Sequence, residues 1–326
     1  MTKEDLNSLF DSFNKKNVLI IGDAMIDAYM WGDIHRKSPE APVPVVDIEK
    51  HENRLGGAAN VALNIKSLGA NPILCCVIGD DNNGIIFKEL MQKEELITDG
   101  IIVSKNRRTT IKTRVIADNR HQIRVDEEDL HPINEEIKLL SIISNVIKKI
   151  DVVILQDYNK GVLTKKIIQS TIKVSREHNI PIVVDPKTKN YNSYYGASLF
   201  KPNLKEIQKG MKINFDSNNL IEVEEAVTKL RKMLNVEMIL LTLSEKGICI
   251  KTEGQFSHHK VYPRKIIDVS GAGDTVISIA SLCKTEKVEY KKLASFCNLA
   301  GGLVCEEVGV VPINKTRLIE EAKKII

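Results

Sequence analysis

Short, largely apolar runs at 18–21, 72–78, 151–155, 180–184 and 238–243 alternate along the chain with longer segments of a different pattern. In those segments, at 58–68, 84–93, 134–149, 164–178 and 223–234, apolar residues recur at the three-to-four-residue spacing of an α-helix. A run with no polar alternation is what a strand buried on both faces requires. Strands of this type alternating with helices predict an α/β fold: three layers, with helices on both faces of a mostly parallel central sheet. Ligands of such sheets bind beyond the carboxyl ends of the strands. The first run ends in Gly22-Asp23, with Asp27 close behind. The runs at 151–155 and 180–184 end in Gln156-Asp157-Tyr158-Asn159-Lys160-Gly161 and in Asp185-Pro186-Lys187. Acids at these ends face the ligand rim, where a carboxylate can accept from two hydroxyls of a polyol; solvated loop acids are the plainer alternative.

Two regions break the rhythm. Residues 29–50 carry Trp31 and the prolines Pro39, Pro42 and Pro44 without a helical pattern, and 107–128 reads as two alternating strands around Asp118-Asn119. Period two puts Lys112 and Arg114 on one face and Ile111, Thr113 and Val115 on the other; in the next strand Gln122, Arg124 and Asp126 oppose Ile123 and Val125. Together these regions predict a small antiparallel sheet standing off a single domain, 1–326, as a lid. The second face of such a sheet needs a partner, which a homodimer supplies. Residues 214–219 read as a surface loop, and the N-terminal residues Leu6, Leu9, Phe10 and Phe13 as a short amphipathic helix rather than a signal peptide.

Composition narrows the class. The net charge of +4 is small for 326 residues, and its lysines and arginines are interspersed with acids, so nucleic-acid binding gains no support. The six cysteines have no C-x-x-C spacing and sit mostly in apolar surroundings, as reduced core residues of a cytoplasmic protein do. The seven histidines form no H-x-x-x-H or H-x-G-H pair, which removes a histidine zinc site and a histidine nucleotidyltransferase site. No apolar run has the length of a membrane span.

The candidate chemistry centres on Asp268-Val269-Ser270-Gly271-Ala272-Gly273-Asp274-Thr275, which follows the β-type segment 265–267 and opens a helix of small and apolar residues over 276–283. Glycines at a helix start let a phosphate approach bare N–H groups that have no intrahelical acceptor, where the helix dipole adds positive potential. An acid behind that nest can orient an attacking hydroxyl. Taken alone, the octapeptide reads equally as a helix start built for close packing, with Asp274 a favourable first-turn acid. Gly56-Gly57-Ala58-Ala59-Asn60 is a sugar-binding element or a tight turn; Asn203 and Glu206 read as a capping box or as groups reaching a hydrated magnesium ion and nucleotide phosphates. Thr242-Leu243-Ser244-Glu245-Lys246-Gly247 reads as a hairpin turn, with hydroxyls available to a nucleotide.

Assembled, these residues resemble the ribokinase (phosphofructokinase-B) family of sugar kinases nearly end to end. The likeness rests on 22–27, Gly56-Gly57-x-x-Asn60, Asn203-x-x-Glu206 and Gly271-Ala272-Gly273-Asp274. The stretches 36–44, 109–126 and Asp157-Tyr158-x-Lys160-Gly161 are similar to its D-glycero-β-D-manno-heptose-7-phosphate kinase branch, in the form that stands without an adenylyltransferase domain. That branch shares Val269, where the wider family has threonine.

The resemblance implies a ribokinase-like three-layer sandwich and transfer of the ATP γ-phosphoryl group to the anomeric O1 of a heptose 7-phosphate. Asp274 is then the base, and the N–H groups of Gly271, Ala272 and Gly273 the charge-stabilising nest. The helix dipole should make Asp274 a weak base, which a loose transition state tolerates. Asp27, Gly56, Gly57, Asn60 and Asp157 hold the sugar; Lys112, Arg114, Arg124 and Lys160 are candidates for its phosphate. Asn203, Glu206, Asp185, Ser244, Gly247 and Asn298 lie toward ATP; Glu206 holds Mg²⁺ through water, and Asp268 is a candidate for a monovalent cation such as K⁺. The rival expectations are a kinase for another sugar, sugar phosphate or nucleoside, and a non-catalytic sugar-binding protein. A nicotinamide dehydrogenase is set aside, because no G-x-G-x-x-G follows the first strand.

Overall fold

The computed structural model describes residues 2–118 and 120–325. Among them the strands are β1 (Asn17–Gly22), β2 (Ala24–Lys37), β3 (Pro44–Gly57), β4 (Asn71–Gly79), β5 (Ile101–Ser104), β6 (Ile111–Ala117), β7 (Arg120–Glu127), β8 (Val152–Gln156), β9 (Ile182–Asp185), β10 (Leu199–Phe200), β11 (Met238–Thr242), β12 (Ile248–Lys251) and β13 (Phe256–His259). The main sheet runs β13-β12-β11-β10-β9-β8-β1-β4-β5; its neighbours pair in parallel except at β11-β12-β13, where the chain doubles back.

Strand β1 shows why the apolar runs lack alternation. Val18 and Ile20 enter one core, with the helices Ala58–Ser67, Ala272–Thr285 and Tyr290–Val304, while Leu19 and Ile21 enter the other, with Glu136–Val146, Lys165–Glu177 and Leu220–Leu234. Both faces are therefore dry, and period two is erased from hydrophobicity although it persists in the packing. The helix Ala272–Thr285 is buried on every side from Asp274 to Cys283. Each fully enclosed side chain, such as Ile277, Ile279 or Leu282, contributes about 1.5–3 kcal/mol. A register slip would expose them, so the residues at the start of this helix are fixed in space.

The expected lid corresponds to a second sheet, ordered β3-β2-β6-β7, and the expectation of an antiparallel sheet is corrected: its two hairpins are antiparallel, but β2 and β6 join them in parallel. It begins deeper than the pattern suggested. Strand β2 starts at Ala24 and β3 ends at Gly57, so the hairpin grows directly from the end of β1 and returns into the Gly56-Gly57 element. Residues 24–29 are buried and the rest of β2 emerges, while β7 is exposed throughout, with Ile123 and Val125 open to solvent. Asp118 leaves β6 with a φ of 51°; its expected turn partner Asn119 lies outside the described residues.

One expected element is corrected. Residues 265–267 form no strand, and Ile266 and Ile267 are exposed. The N–H groups of Ile267 and Asp268 both donate to the Cys305 carbonyl at the end of helix Tyr290–Val304, which holds the segment away from any sheet edge. All six cysteines are buried and unpaired. No helix among the described residues is long and apolar enough to cross a membrane.

Candidate active site

Asp274 lies in the first turn of the helix Ala272–Thr285, at the carboxyl rim of the sheet. Gly271 caps that helix with a φ of 79°, and a Cβ there would stand 3.1 Å from the Asn60 amide nitrogen. Only glycine makes this left-handed entry without strain and keeps the cradle open. Among the described residues, the N–H groups of Gly271, Gly273 and Asp274 have no acceptor, while that of Ala272 makes a long 3.4 Å bond to the Val269 carbonyl. The expected nest is present, with its middle amide partly engaged.

The Asp274 carboxylate is 4% exposed and accepts three hydrogen bonds. Its Oδ2 accepts from Asn60 Nδ2 at 2.7 Å; its Oδ1 accepts from the Tyr158 hydroxyl at 2.6 Å and from Gln156 Nε2 at 3.1 Å. Burial pushes its pKa up to about 7, against the opposing pull of the Tyr158 and Asn60 bonds. The expectation of a weak base is therefore corrected: desolvation outweighs the helix N-terminus. Behind it, Gln156 Nε2 also donates to Asp185 Oδ2 at 3.1 Å, and Lys201 Nζ pairs with the same oxygen at 3.0 Å.

Strand alternation sorts the residues after β8. Gln156 and Tyr158 point toward Asp274, so Asp157 points to the other face, where it accepts from the Tyr194 hydroxyl at 2.6 Å and the Asn159 N–H at 2.7 Å. Asp157 is enclosed, and burial raises its pKa to about 6. It holds the loop and is removed from the sugar contacts. Asp23 is corrected likewise: its carboxylate accepts the N–H groups of Tyr158, Lys160 and Val162 at 2.8–3.0 Å and so staples that loop to β1. Arg107, which the sequence reading missed, donates to the Lys160 carbonyl from beneath; its burial at the foot of the lid leaves no trace in spacing.

Asp27, Gly56 and Gly57 do come together. A Cβ on Gly56 would fall 2.1 Å from Asp27 Oδ2, so that carboxylate fits only over bare backbone. Gly56→Ala is expected to raise KM for the acceptor about tenfold or more by expelling Asp27, with kcat less affected; an unchanged KM would detach Asp27 from the sugar side. Asn60 is fully buried, and its amide is held by Asp274 and Asn64, which makes it a support of the Asp274 carboxylate.

The four lid cations all carry carboxylates. Lys112 pairs with Asp126 and Glu128, Lys160 with Glu128, Arg124 with Asp126, and Arg114 with the buried Asp27. Lys112, Lys160 and Arg124 share only two acids, so this cluster keeps one positive charge in excess.

Beyond the carboxyl end of β10, Asn203 and Glu206 form a reciprocal capping box, each N–H to side-chain bond being 2.9 Å, and the remaining Glu206 oxygen pairs with Lys187. Ser244 and Gly247 flank the turn between β11 and β12; the Lys246 carbonyl there meets His258, and Asn298 donates to the Lys260 carbonyl at 2.7 Å. A bridge from Asn203 to Thr242 ties the start of helix Leu204–Met211 to the end of β11. Asp268 accepts from Ser270 and Gly309 N–H groups at 2.9 Å each; burial raises its pKa, but those bonds prevail and hold it below the usual carboxylate range. Gly309 belongs to a loop that also binds the lid: the Val310 N–H donates to the Tyr29 hydroxyl, and Arg54 donates to the Val308 and Val310 carbonyls.

Residues 15–317 match the family model described as pfkB family carbohydrate kinase. The chain is 41% identical over 296 residues to the bifunctional protein HldE of Helicobacter pylori (strain HPAG1), covering 90% of this chain and 64% of that protein, and 41% identical to the Aliarcobacter butzleri (strain RM4018) protein of the same name, covering 90% and 62%. The chain thus spans under two thirds of the length of these relatives. In fold it is similar to Arabidopsis thaliana ribokinase complexed with ribose and ATP (TM-score 0.72, 16% identity, 94% and 99% of the two chains). It is similar also to Escherichia coli phosphofructokinase-2 in complex with potassium (TM-score 0.78, 16% identity, 94% and 99%). The α/β sandwich with its second small sheet is the ribokinase-like fold, the family match extends over nearly the whole of it, and the chain belongs to the pfkB family of carbohydrate kinases.

Proposed function

We propose that this chain transfers the γ-phosphoryl group of ATP to the anomeric O1 of D-glycero-β-D-manno-heptose 7-phosphate, giving the 1,7-bisphosphate that leads to ADP-heptose. The observation that carries phosphoryl transfer is the buried Asp274 carboxylate at the same helix start as the amides of Gly271 and Gly273, which have no acceptor among the described residues. Asp274 orients the attacking O–H and takes its proton, while the amides stabilise charge building on the transferred group. Positioning of this kind supplies most of what a loose transition state needs. The heptose assignment is supported by the stretches 36–44, 109–126 and 157–161 and by the excess positive charge of the Lys112–Lys160–Arg124 cluster, suited to a sugar phosphate.

The residues fit a magnesium ion held mostly through water. Among the described residues no cluster of three or more His, Cys, Asp or Glu offers a cage, yet Glu206 already faces one cation, Lys187. Glu206 and Asn203 would hold that ion, which when bound neutralises phosphate charge. Asp268 keeps acceptor capacity on both oxygens beyond its two N–H bonds and is the candidate for a monovalent cation. The open apolar residues Ile123 and Val125 on β7 support a homodimer formed through the lid, and six unpaired buried thiols suit a cytoplasmic enzyme.

The test is ADP release measured across a panel of sugars and sugar phosphates, with the position of the new phosphate read by NMR. The heptose 7-phosphate should give the highest kcat/KM and an anomeric phosphate. A second reading, a kinase for another sugar, is favoured by the carboxylate partners of all four lid cations; a higher kcat/KM for an unphosphorylated sugar would establish it.

A further inference from the structure

Three donors converge on Asp274, and they differ in character. Asn60 and Gln156 are enclosed amides, whereas Tyr158 is half-buried and reaches the carboxylate from the loop that Asp23 staples to β1. A carboxylate has about four acceptor positions. Tyr158 and Gln156 occupy both on Oδ1, and Asn60 occupies one on Oδ2, which leaves one open position, on Oδ2.

We propose that Tyr158 is a positioning residue for the reaction: with Gln156 it saturates Oδ1, directs the acceptor hydroxyl onto Oδ2, and keeps the carboxylate in its proton-accepting form. The inference rests on the reading of Asp274 as the base. The phenol itself stays a donor, because burial and the facing carboxylates raise its own pKa well above the ordinary value. Its hydrogen bond is the largest influence opposing burial at Asp274, whose pKa is about 7. The charged groups around the pair come from several elements. Asp185 at the end of β9 and Lys201 after β10 face Asp274; Asp27 on β2 acts on Tyr158 and is paired with Arg114; Lys187 lies 5.5 Å from the Tyr158 ring centroid and is paired with Glu206. A Tyr158→Phe change leaves all of these in place and removes one donor.

The experiment compares wild type, Tyr158→Phe and Asp274→Asn in the full chain. Calorimetry gives the ATP Kd, and steady-state kinetics give kcat and KM for the sugar from pH 5.5 to 9. Tyr158→Phe is expected to bind ATP as wild type does and to lose roughly tenfold in kcat/KM at pH 6, a loss that shrinks toward pH 9 as the remaining carboxylate ionises. A loss of equal size at every pH would mark a merely structural role and overturn the proposal, as would an unchanged profile. If Asp274→Asn is inactive while Tyr158→Phe keeps the wild-type profile, only the role of Tyr158 falls. If Asp274→Asn turns over normally, the base assignment and this inference fall together.

Discussion

Asp274→Asn is expected to lower kcat by about 10²–10⁴-fold while the ATP and sugar dissociation constants stay close to wild type. The substitution keeps the size of the side chain and the open amides of Gly271 and Gly273, and it removes the first-turn carboxylate proposed to take the acceptor's proton. The same residue makes wild-type activity fall as pH drops through about 7, since the reaction needs the carboxylate. Its effect on stability has the opposite slope. The folded pKa of Asp274, about 7, stands above the ordinary aspartate value of about 3.9, so the native state binds more protons than the unfolded chain between roughly pH 4 and 7. Its contribution to stability is fully present below that window and is lost as pH rises through it. Asparagine does not titrate, so the unfolding temperature of the variant should gain on wild type between pH 5 and pH 8. Thermal scans at the two pH values together with turnover assays decide it: turnover within threefold of wild type, or a stability difference that does not move with pH, removes Asp274 from this role.

The nest was legible because it is local. A glycine pair, an acid and a run of small apolar residues describe one helix start, and the structure adds only the left-handed φ of Gly271 and the partial engagement of Ala272. The partners of Asp274 were not legible, since Asn60, Gln156 and Tyr158 meet it across long sequence separations. Which of Gln156, Asp157 and Tyr158 faces the base depends on the register that sets Gln156 beside Gly22 and Asp185, and a one-residue slip would have exchanged their faces. Strands β6 and β7 followed from their alternation for the same local reason, while the long β2-β3 hairpin, its parallel pairing with β6 and the charge pattern of this sheet did not. Lys112 stands opposite Asp126 and Arg114 opposite Arg124, and that register sends Arg114 inward to Asp27.

This arrangement ties the lid to the nest through one loop. Tyr29, carrying Arg54 and Arg114 over its ring, touches the Val310 N–H, and the adjacent Gly309 N–H is held by Asp268 at the start of the octapeptide. Lid strands, loop and nest are therefore hydrogen-bonded in series, so a displacement of β2 and β3 bears on the start of the helix that carries Asp274.

Arg114→Ala is then expected to act on the fold and on the whole sugar rather than on its phosphate alone. Its side chain and that of Asp27 are 13% and 5% exposed, and removing the guanidinium strands a buried carboxylate, a loss on the order of 3–5 kcal/mol. Asp27 would turn toward solvent or take up a proton, and either change weakens its hold on sugar hydroxyls. KM should therefore rise for phosphorylated and unphosphorylated acceptors alike. Lys160→Ala, which takes one cation from the cluster around Glu128, should raise KM for the phosphorylated sugar only. The double variant Arg114→Ala/Asp27→Ala removes both charges and should recover part of the lost stability without recovering sugar affinity. Denaturant unfolding of the two singles and the double closes the cycle. A coupling energy near zero would show that the pair is solvated and that Asp27 keeps its position without Arg114. A KM increase confined to phosphorylated sugars would instead return Arg114 to the phosphate.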